Sequence, residues 1–332
     1  MTKTSLGAVV VTGGTSGVGR AAARQFADRG HPVAVLARGL ESLEATKDEL
    51  ESRGVPALGI AVDVTDHKAL DEAAEQVEVE LGPVAVWVNS AMVTVLGEFC
   101  DVTPEDFNRV HDVVFHGTAN GTRTALRLML PRGEGRVVQV GSALAYRGIP
   151  LQSAYCSAKH AVQGLCDSVR SELLHQGSGI TVSEVNLPAI NTPQFDMCKN
   201  LMEEAPQPVP PIYQPEVAAA AIVEAARTGD RSIHVTFTTT RTVLADKVAP
   251  GVLDRVLAGN GYSGQMSSRR RPEGDNLYQP QPGDHGCHGS FDDQARDSSG
   301  QETLRLGPFG GAALLAGRAG RRVGAAVVRR LI

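Results

Sequence analysis

Short, almost unbroken apolar runs recur along the chain to about residue 260, each followed by a longer amphipathic segment. AVVVTG (8–13), VAVLA (33–37), ALGIAVDV (57–64), VAVWVN (84–89), RVVQVGS (136–142) and TVSEVNLP (181–188) have the length and composition of strands. IHVTF (233–237) is a seventh candidate. A strand with no polar face must be covered on both sides. Helix patterns such as LESLEATKDELESRG lie between the runs, with Gly30 and Gly54 where helix C-caps would sit. Such alternation predicts an α/β fold: a Rossmann-type doubly wound sheet, mostly parallel, of about seven strands. No internal repeat of solenoid type is present.

The rhythm stops near residue 262, so 1–262 reads as one nucleotide-binding domain. Residues 263–303 are rich in Gly, Pro, Ser and Asp and read as a loop-like or disordered C-terminal extension. Residues 304–332 carry six arginines and no acid. They have the makings of a basic amphipathic helix for peripheral membrane contact, although a solvated tail is the blander alternative. A net charge of −5 lends no support to a nucleic-acid partner. The five cysteines (Cys100, Cys156, Cys166, Cys198, Cys287) form no CxxC pair, which suits reduced thiols in the cytoplasm. The strand pattern begins almost at the first residue, leaving no room for a signal peptide. No run approaches the roughly 20 apolar residues of a membrane span. The expected location is therefore cytoplasmic, with the tail as a membrane-peripheral element.

VVVTGGTSGVGRAAA is a strand, a glycine-rich turn and a helix start. Gly13, Gly17 and Gly19 let backbone N–H groups approach a pyrophosphate, and the helix N-terminus turns its positive end to that anion. A dinucleotide site that reads a free ribose 2′-OH carries an acid at the end of the second strand. Ala37 stands there instead and Arg38 follows, and a guanidinium suits a 2′-phosphate. NADP(H) is thus favoured over NAD(H) as cofactor. Asp63 and Val64, ending the third run, are placed to flank the adenine.

AYCSAKHAVQGLCDSVRSELLHQ has apolar residues at helical spacing. Tyr155 and Lys159, at i and i+4, share one face of that helix. A free tyrosine titrates near 10, too high for acid–base work at neutral pH, and a nearby ammonium is expected to lower it. Ser142, at a strand's carboxyl end, is placed to hydrogen-bond a substrate oxygen, because ligands bind beyond those ends.

The chain resembles the short-chain dehydrogenase/reductase family. TGGTSGVG (12–19), DV (63–64), NSAM (89–92), Ser142, YCSAK (155–159) and NLPAINTP (186–193) stand in family order within residues 5–260. The resemblance implies a catalytic trio of Ser142, Tyr155 and Lys159. It implies cofactor contacts from Gly13, Thr15, Ser16, Gly17, Val18, Gly19, Arg38, Asp63, Val64, Asn89, Ala91, Tyr155, Lys159, Pro188, Ile190 and Thr192. In particular, Lys159 would reach the nicotinamide ribose. Homodimers or homotetramers are also implied.

Several positions depart from the family pattern. Val114 occupies the place of a frequent asparagine and cannot hold a water behind Lys159; His111 and His116 are near in sequence as candidates for another relay, the plainer reading of each being an ordinary helix residue. Ser90 and Met92 replace a frequent Asn and Gly, and Ala189 replaces a frequent Gly. GDHGCHG (283–289) holds Asp284, His285, Cys287 and His288 without zinc-site spacing, so no metal is expected. Leu144, Tyr146, Ile149, Leu187, Phe195 and Met197 suggest an apolar substrate pocket, with Arg147 nearby. The expected function is NADP(H)-dependent oxidoreduction of a small hydrophobic carbonyl or alcohol, with Tyr155 as general acid/base. The alternative is a catalytically impaired dinucleotide-binding regulatory or scaffold protein.

Overall fold

The computed structural model describes residues 7–300 apart from residue 272. The basic tail expected at 304–332 lies outside the described residues, as do 301–303. Seven strands form one sheet: β1 (Ala8–Thr12), β2 (Val33–Ala37), β3 (Ala57–Ala61), β4 (Val84–Asn89), β5 (Arg136–Ser142), β6 (Thr181–Leu187) and β7 (Ser232–His234). Their spatial order is β3-β2-β1-β4-β5-β6-β7, and every neighbouring pair is parallel. The order reverses between β1 and β4, where ligands bind beyond the strands' carboxyl ends.

The helices are α1 (Gly17–Ala27), α2 (Leu40–Ser52), α3 (His67–Glu80), α4 (Pro104–His111), α5 (Gly117–Met129), α6 (Ser153–His175), α7 (Pro215–Thr228), α8 (Phe237–Val248) and α9 (Pro250–Asn260). Successive strand residues point to opposite faces. Val9 and Val11 enter one core with α1, α2 and α7, while Ala8 and Val10 enter the other with α3, α5 and α6. All four are fully buried, which is why the runs lack polar alternation. Alanines at 21–23 and at 218, 219 and 221 let α1 and α7 pack closely. Asp66 caps α3 by accepting from the amides of Lys68 and Ala69, and Thr103 caps α4 just before Pro104.

Two local details differ from expectation. The seventh strand ends at His234 rather than 237. Thr236 instead caps α8, its hydroxyl accepting from the Thr239 amide at 3.2 Å. Between α4 and α5, Asp112–His116 form one π-helical turn, with Val114 fully buried in it.

Residues 263–300 hold little regular structure. Met266–Arg270 pair antiparallel with Glu204–Pro206, and Ala295–Arg296 lie parallel to Ile212–Tyr213. The segment is nonetheless packed on the domain. Leu277 is fully buried in the core on the α3 side, and Cys287 is buried in the core on the α1 side. Among the described residues, no helix is long and apolar enough to cross a membrane.

Candidate active site

The turn after β1 is built for glycine. Gly13 has φ +63°, and a Cβ there would lie 2.6 Å from the Ala91 Cα. A Cβ on Gly19 would lie 2.2 Å from the Gly13 carbonyl oxygen. Both neighbours are backbone and have no rotamer by which to give way. The turn leads into α1, whose first amides have no acceptor within the helix. Ser16, its N-cap, is extended and makes no side-chain capping bond.

At the end of β2, Ala37 is followed by Arg38, and both line the cavity. The Arg38 guanidinium donates from Nη2 to the Asn276 carbonyl at 2.6 Å and from Nη1 to the Tyr278 carbonyl at 2.9 Å. Burial, helped by the nearby Arg109 charge, pulls its proton affinity down, with Asp63 opposing. Asp63 accepts from Arg109 at 2.6 Å and from the Thr65 amide and hydroxyl. Burial alone would raise its carboxyl, but these donors outweigh it and hold Asp63 below the usual carboxylate range.

The acid–base group sits where β5 meets α6. Ser142 caps the short turn after β5, its Oγ accepting from the Leu144 amide at 3.1 Å. Its hydroxyl is close enough to the Tyr155 phenol to influence that group's proton affinity. Lys159 is buried at 6 % exposure, donates to the Val140 carbonyl at 2.7 Å and sits 5.6 Å from the Tyr155 ring centroid. The electrostatics differ from the expectation that Lys159 lowers the tyrosine. Burial pushes the Tyr155 phenol up, with the Ser142 hydroxyl opposing. Burial also brings Lys159 down to about 8. Desolvation disfavours the charged form of each residue and is the largest cause of both shifts.

These groups line one cavity of about 1210 Å³. Pockets for drug-sized ligands run to about 1,000 Å³, so there is room for a large ligand beside a small one. Ser142, Tyr155 and Lys159 line it, as do Gly13, Thr15, Ser16, Gly17, Val18, Gly19, Arg38, Asp63, Val64, Ala91, Pro188, Ile190 and Thr192. Asn89 does not. Its side chain turns inward, accepting from the Trp87 indole at 2.9 Å and donating to Gln139 at 2.9 Å and Thr122 at 3.2 Å. Trp87 and Asn89 are two apart on one strand and share a face, which was the available signal.

Leu144, Ile149, Leu187, Phe195 and Met197 also line the cavity. Tyr146 does not; it stacks edge-on against His234 and accepts from Asn186. Sequence reasoning missed Leu253, Val256 and Leu257 of α9 and the proline-rich stretch 206–211, which line the cavity as well. It also missed that Arg147 would be tied to Asp246 (3.1 Å) and Asp254 (2.5 Å), fastening α8 and α9 over the pocket.

Neither His111 nor His116 lines the cavity. His111 faces the Ser157 hydroxyl at 2.8 Å and stacks on Phe107, so the relay offered for them has no geometry here. Asp284 pairs with Arg20, His288 with Glu216 and Asp292, and Cys287 is buried. Among the described residues, no three His, Cys, Asp or Glu side chains gather as a metal-binding group.

A parallel sheet in this order, a glycine turn at its crevice and a Ser–Tyr–Lys group opposite define a dinucleotide-type α/β oxidoreductase. Residues 7–204 match the family model for short chain dehydrogenases, and the chain belongs to that family. It is 32 % identical over 263 residues to an uncharacterized oxidoreductase, YxnA, of Bacillus subtilis, covering 79 % of this chain and 74 % of the relative. It is 34 % identical over 191 residues to an NADPH-dependent pterin aldehyde reductase of Arabidopsis thaliana, covering 57 % and 77 %. A crystal structure of a short-chain dehydrogenase from Streptomyces avermitilis superposes with a TM-score of 0.64 at 29 % identity, covering 78 % of this chain and 96 % of that one. The chain is accordingly an oxidoreductase of the kind that acts on CH–OH or C=O groups with a nicotinamide dinucleotide.

Proposed function

We propose that this protein is an NADP(H)-dependent oxidoreductase that interconverts a hydrophobic carbonyl compound and its alcohol, with Tyr155 as general acid/base. One observation carries this reading: the glycine turn, Arg38 and the Ser142–Tyr155–Lys159 group all line a single cavity. The residues present suit the dinucleotide. Gly13 and Gly19 carry no side chain where the turn packs tightest, and the Val18 and Gly19 amides at the start of α1 are donors for a pyrophosphate, the Gly17 amide being held by the Gly286 carbonyl. When bound, NADP(H) supplies or accepts the hydride.

The chain's own residues manage the oxygen and its proton. Ser142 Oγ positions the substrate oxygen beside the Tyr155 hydroxyl. In reduction the phenol gives its proton to that oxygen, and in oxidation it takes the proton back. Burial keeps the Tyr155 phenol protonated at neutral pH, so the proton is there to give, but it also makes the phenol a weaker acid. The Lys159 ammonium, fixed by the Val140 carbonyl, stabilises the phenolate left behind.

NADP(H) rather than NAD(H) is supported by Ala37 in place of an acid, by Arg38 at the cavity wall and by the NADPH dependence of the plant relative. The apolar lining from Leu144, Leu187, Phe195 and Val256 supports a hydrophobic substrate. The test is NADPH and NADH consumption by purified protein against a panel of hydrophobic ketones and aldehydes. Tyr155→Phe should lose at least about a hundredfold in rate, and Arg38→Ala should weaken NADPH more than NADH. Equal rates for wild type and Tyr155→Phe would overturn the acid/base assignment. Tight cofactor binding with no turnover on any substrate would favour the regulatory alternative.

A further inference from the structure

The extension does not hang from the domain. It crosses the mouth of the crevice and is fastened on each rim. On one rim, the Asn276, Leu277 and Tyr278 carbonyls accept from Arg38, and the Leu277 carbonyl also accepts from Arg109. On the other rim, beyond β6, the Asn276 amide donates to the Met197 carbonyl at 2.8 Å, and its side-chain amide donates to Gln194 at 3.0 Å. Asn276 therefore spans from the end of β2 to the loop after β6.

The chain then runs along the glycine turn. Pro280 packs on Gly39, the Gly283 amide donates to Glu41 at 2.6 Å, and Asp284 pairs with the buried Arg20. The Gly17 amide, at the start of α1, donates to the Gly286 carbonyl at 3.0 Å. Leu277 is fully buried in the same core as Leu36, Val62 and Val64, the residues behind the adenine position. Asn276, Pro280, Gln281 and His285 line the same cavity as Thr15, Arg38 and Val64. The cavity thus lies between the strand ends and this segment.

We propose that residues 275–289 are the outer wall of the dinucleotide site, a strap that opens to admit the cofactor and then retains it. The inference rests on the reading of the crevice as a dinucleotide site. With the glycine turn on one side and the strap on the other, a dinucleotide's adenosine end would lie between the two. Release then waits on strap opening. Loosening the strap should accelerate both entry and release, leaving affinity less altered than either rate.

The strap carries latches that touch nothing else at the site. The Tyr278 hydroxyl donates to Asp106 at 3.1 Å, and the Glu41 carboxylate holds the Gly283 amide. Tyr278 is 46 % exposed, so Tyr278→Phe with Glu41→Ala should weaken closure without opening a core. Leu277→Ser is the stronger change, and the double variant covers the case in which it fails to fold. The experiment is stopped-flow fluorescence of NADPH binding and release on the full chain, wild type against the double variant. Hydrogen exchange of amides 276–286 is followed with and without NADPH. The expected result is release and association each at least tenfold faster in the variant, and exchange in the strap slowed by NADPH. Wild-type and variant rates within twofold of each other would overturn the strap while leaving the dinucleotide site standing. Failure of wild type to bind either NADPH or NADH would overturn the dinucleotide reading and the strap with it.

Discussion

Asn89 stands in a stretch whose family resemblance assigns it to the cofactor, yet it is 4 % exposed and its side chain is committed to the interior. Asn89→Ala would leave the Trp87 indole N–H and the Gln139 carbonyl oxygen without their Asn89 partner, both on fully or almost fully buried side chains. Thr122 keeps bonds to Gln139 at 2.8 Å and to the Thr118 carbonyl at 2.7 Å, so it adds little to the loss. Each orphaned buried group costs about 1–3 kcal/mol. Two of them predict a destabilisation of about 2–6 kcal/mol. At about 2–4 °C per kcal/mol for a domain of this size, the melting temperature should fall by roughly 10 °C. Because no Asn89 atom lines the cavity, NADPH affinity of the folded variant should stay within about twofold of wild type. The assay pairs thermal and urea unfolding with a fluorescence titration well below the melting point. An unchanged melting temperature together with a large loss of NADPH affinity would refute the reasoning and return Asn89 to the cofactor.

Other expectations follow from single contacts. Gly19→Ala forces a Cβ against the Gly13 carbonyl, so the rise in melting temperature expected for wild type in excess NADPH should be lost in the variant; an intact shift would contradict the tight turn. Arg170 is buried and holds the buried Glu184 carboxylate at 3.0 Å and the Val182 carbonyl at 2.7 Å. Arg170→Ala should cost about 3–5 kcal/mol in urea unfolding, and a loss under 1 kcal/mol would show the pair to be idle. Lys159 titrates near 8 in the folded chain against an ordinary 10.5. Between those values the unfolded chain binds the extra proton, so this group makes stability rise with pH across that window. Tyr155, raised by burial, acts oppositely above its ordinary value of 10. The difference in stability between wild type and Lys159→Met should therefore shift with pH between 8 and 10.5 in favour of wild type. A difference independent of pH would contradict a buried, displaced lysine.

The sheet was legible because its strands are buried on both faces, and a continuous run of Val and Ala has few other stable homes. The turn at 13–19 and the Tyr155–Lys159 spacing were legible because local geometry fixes them: a positive φ in one case, one helix face in the other. The direction of the Tyr155 shift was not, because it depends on how much chain surrounds the phenol. The packed extension was hidden for a related reason. Its anchors, Leu277, Cys287 and Phe291, are single apolar residues in a polar run, with no period to reveal a face. The end of the seventh strand was misjudged because Phe237 continues its apolar pattern, although Thr236 carried the cap signal. Arg38 lines the crevice, but the sequence showed nothing of the three backbone carbonyls that take up its donors.

The central claim is that Tyr155 protonates a carbonyl oxygen as hydride arrives from the cofactor. It is tested most directly by single-turnover transfer from NADPH deuterated at the transferable nicotinamide position to a hydrophobic ketone. The account predicts deuterium at the alcohol carbon with wild type, and at least a hundredfold slower transfer by Tyr155→Phe at unchanged NADPH affinity. Transfer at the wild-type rate by Tyr155→Phe would contradict it.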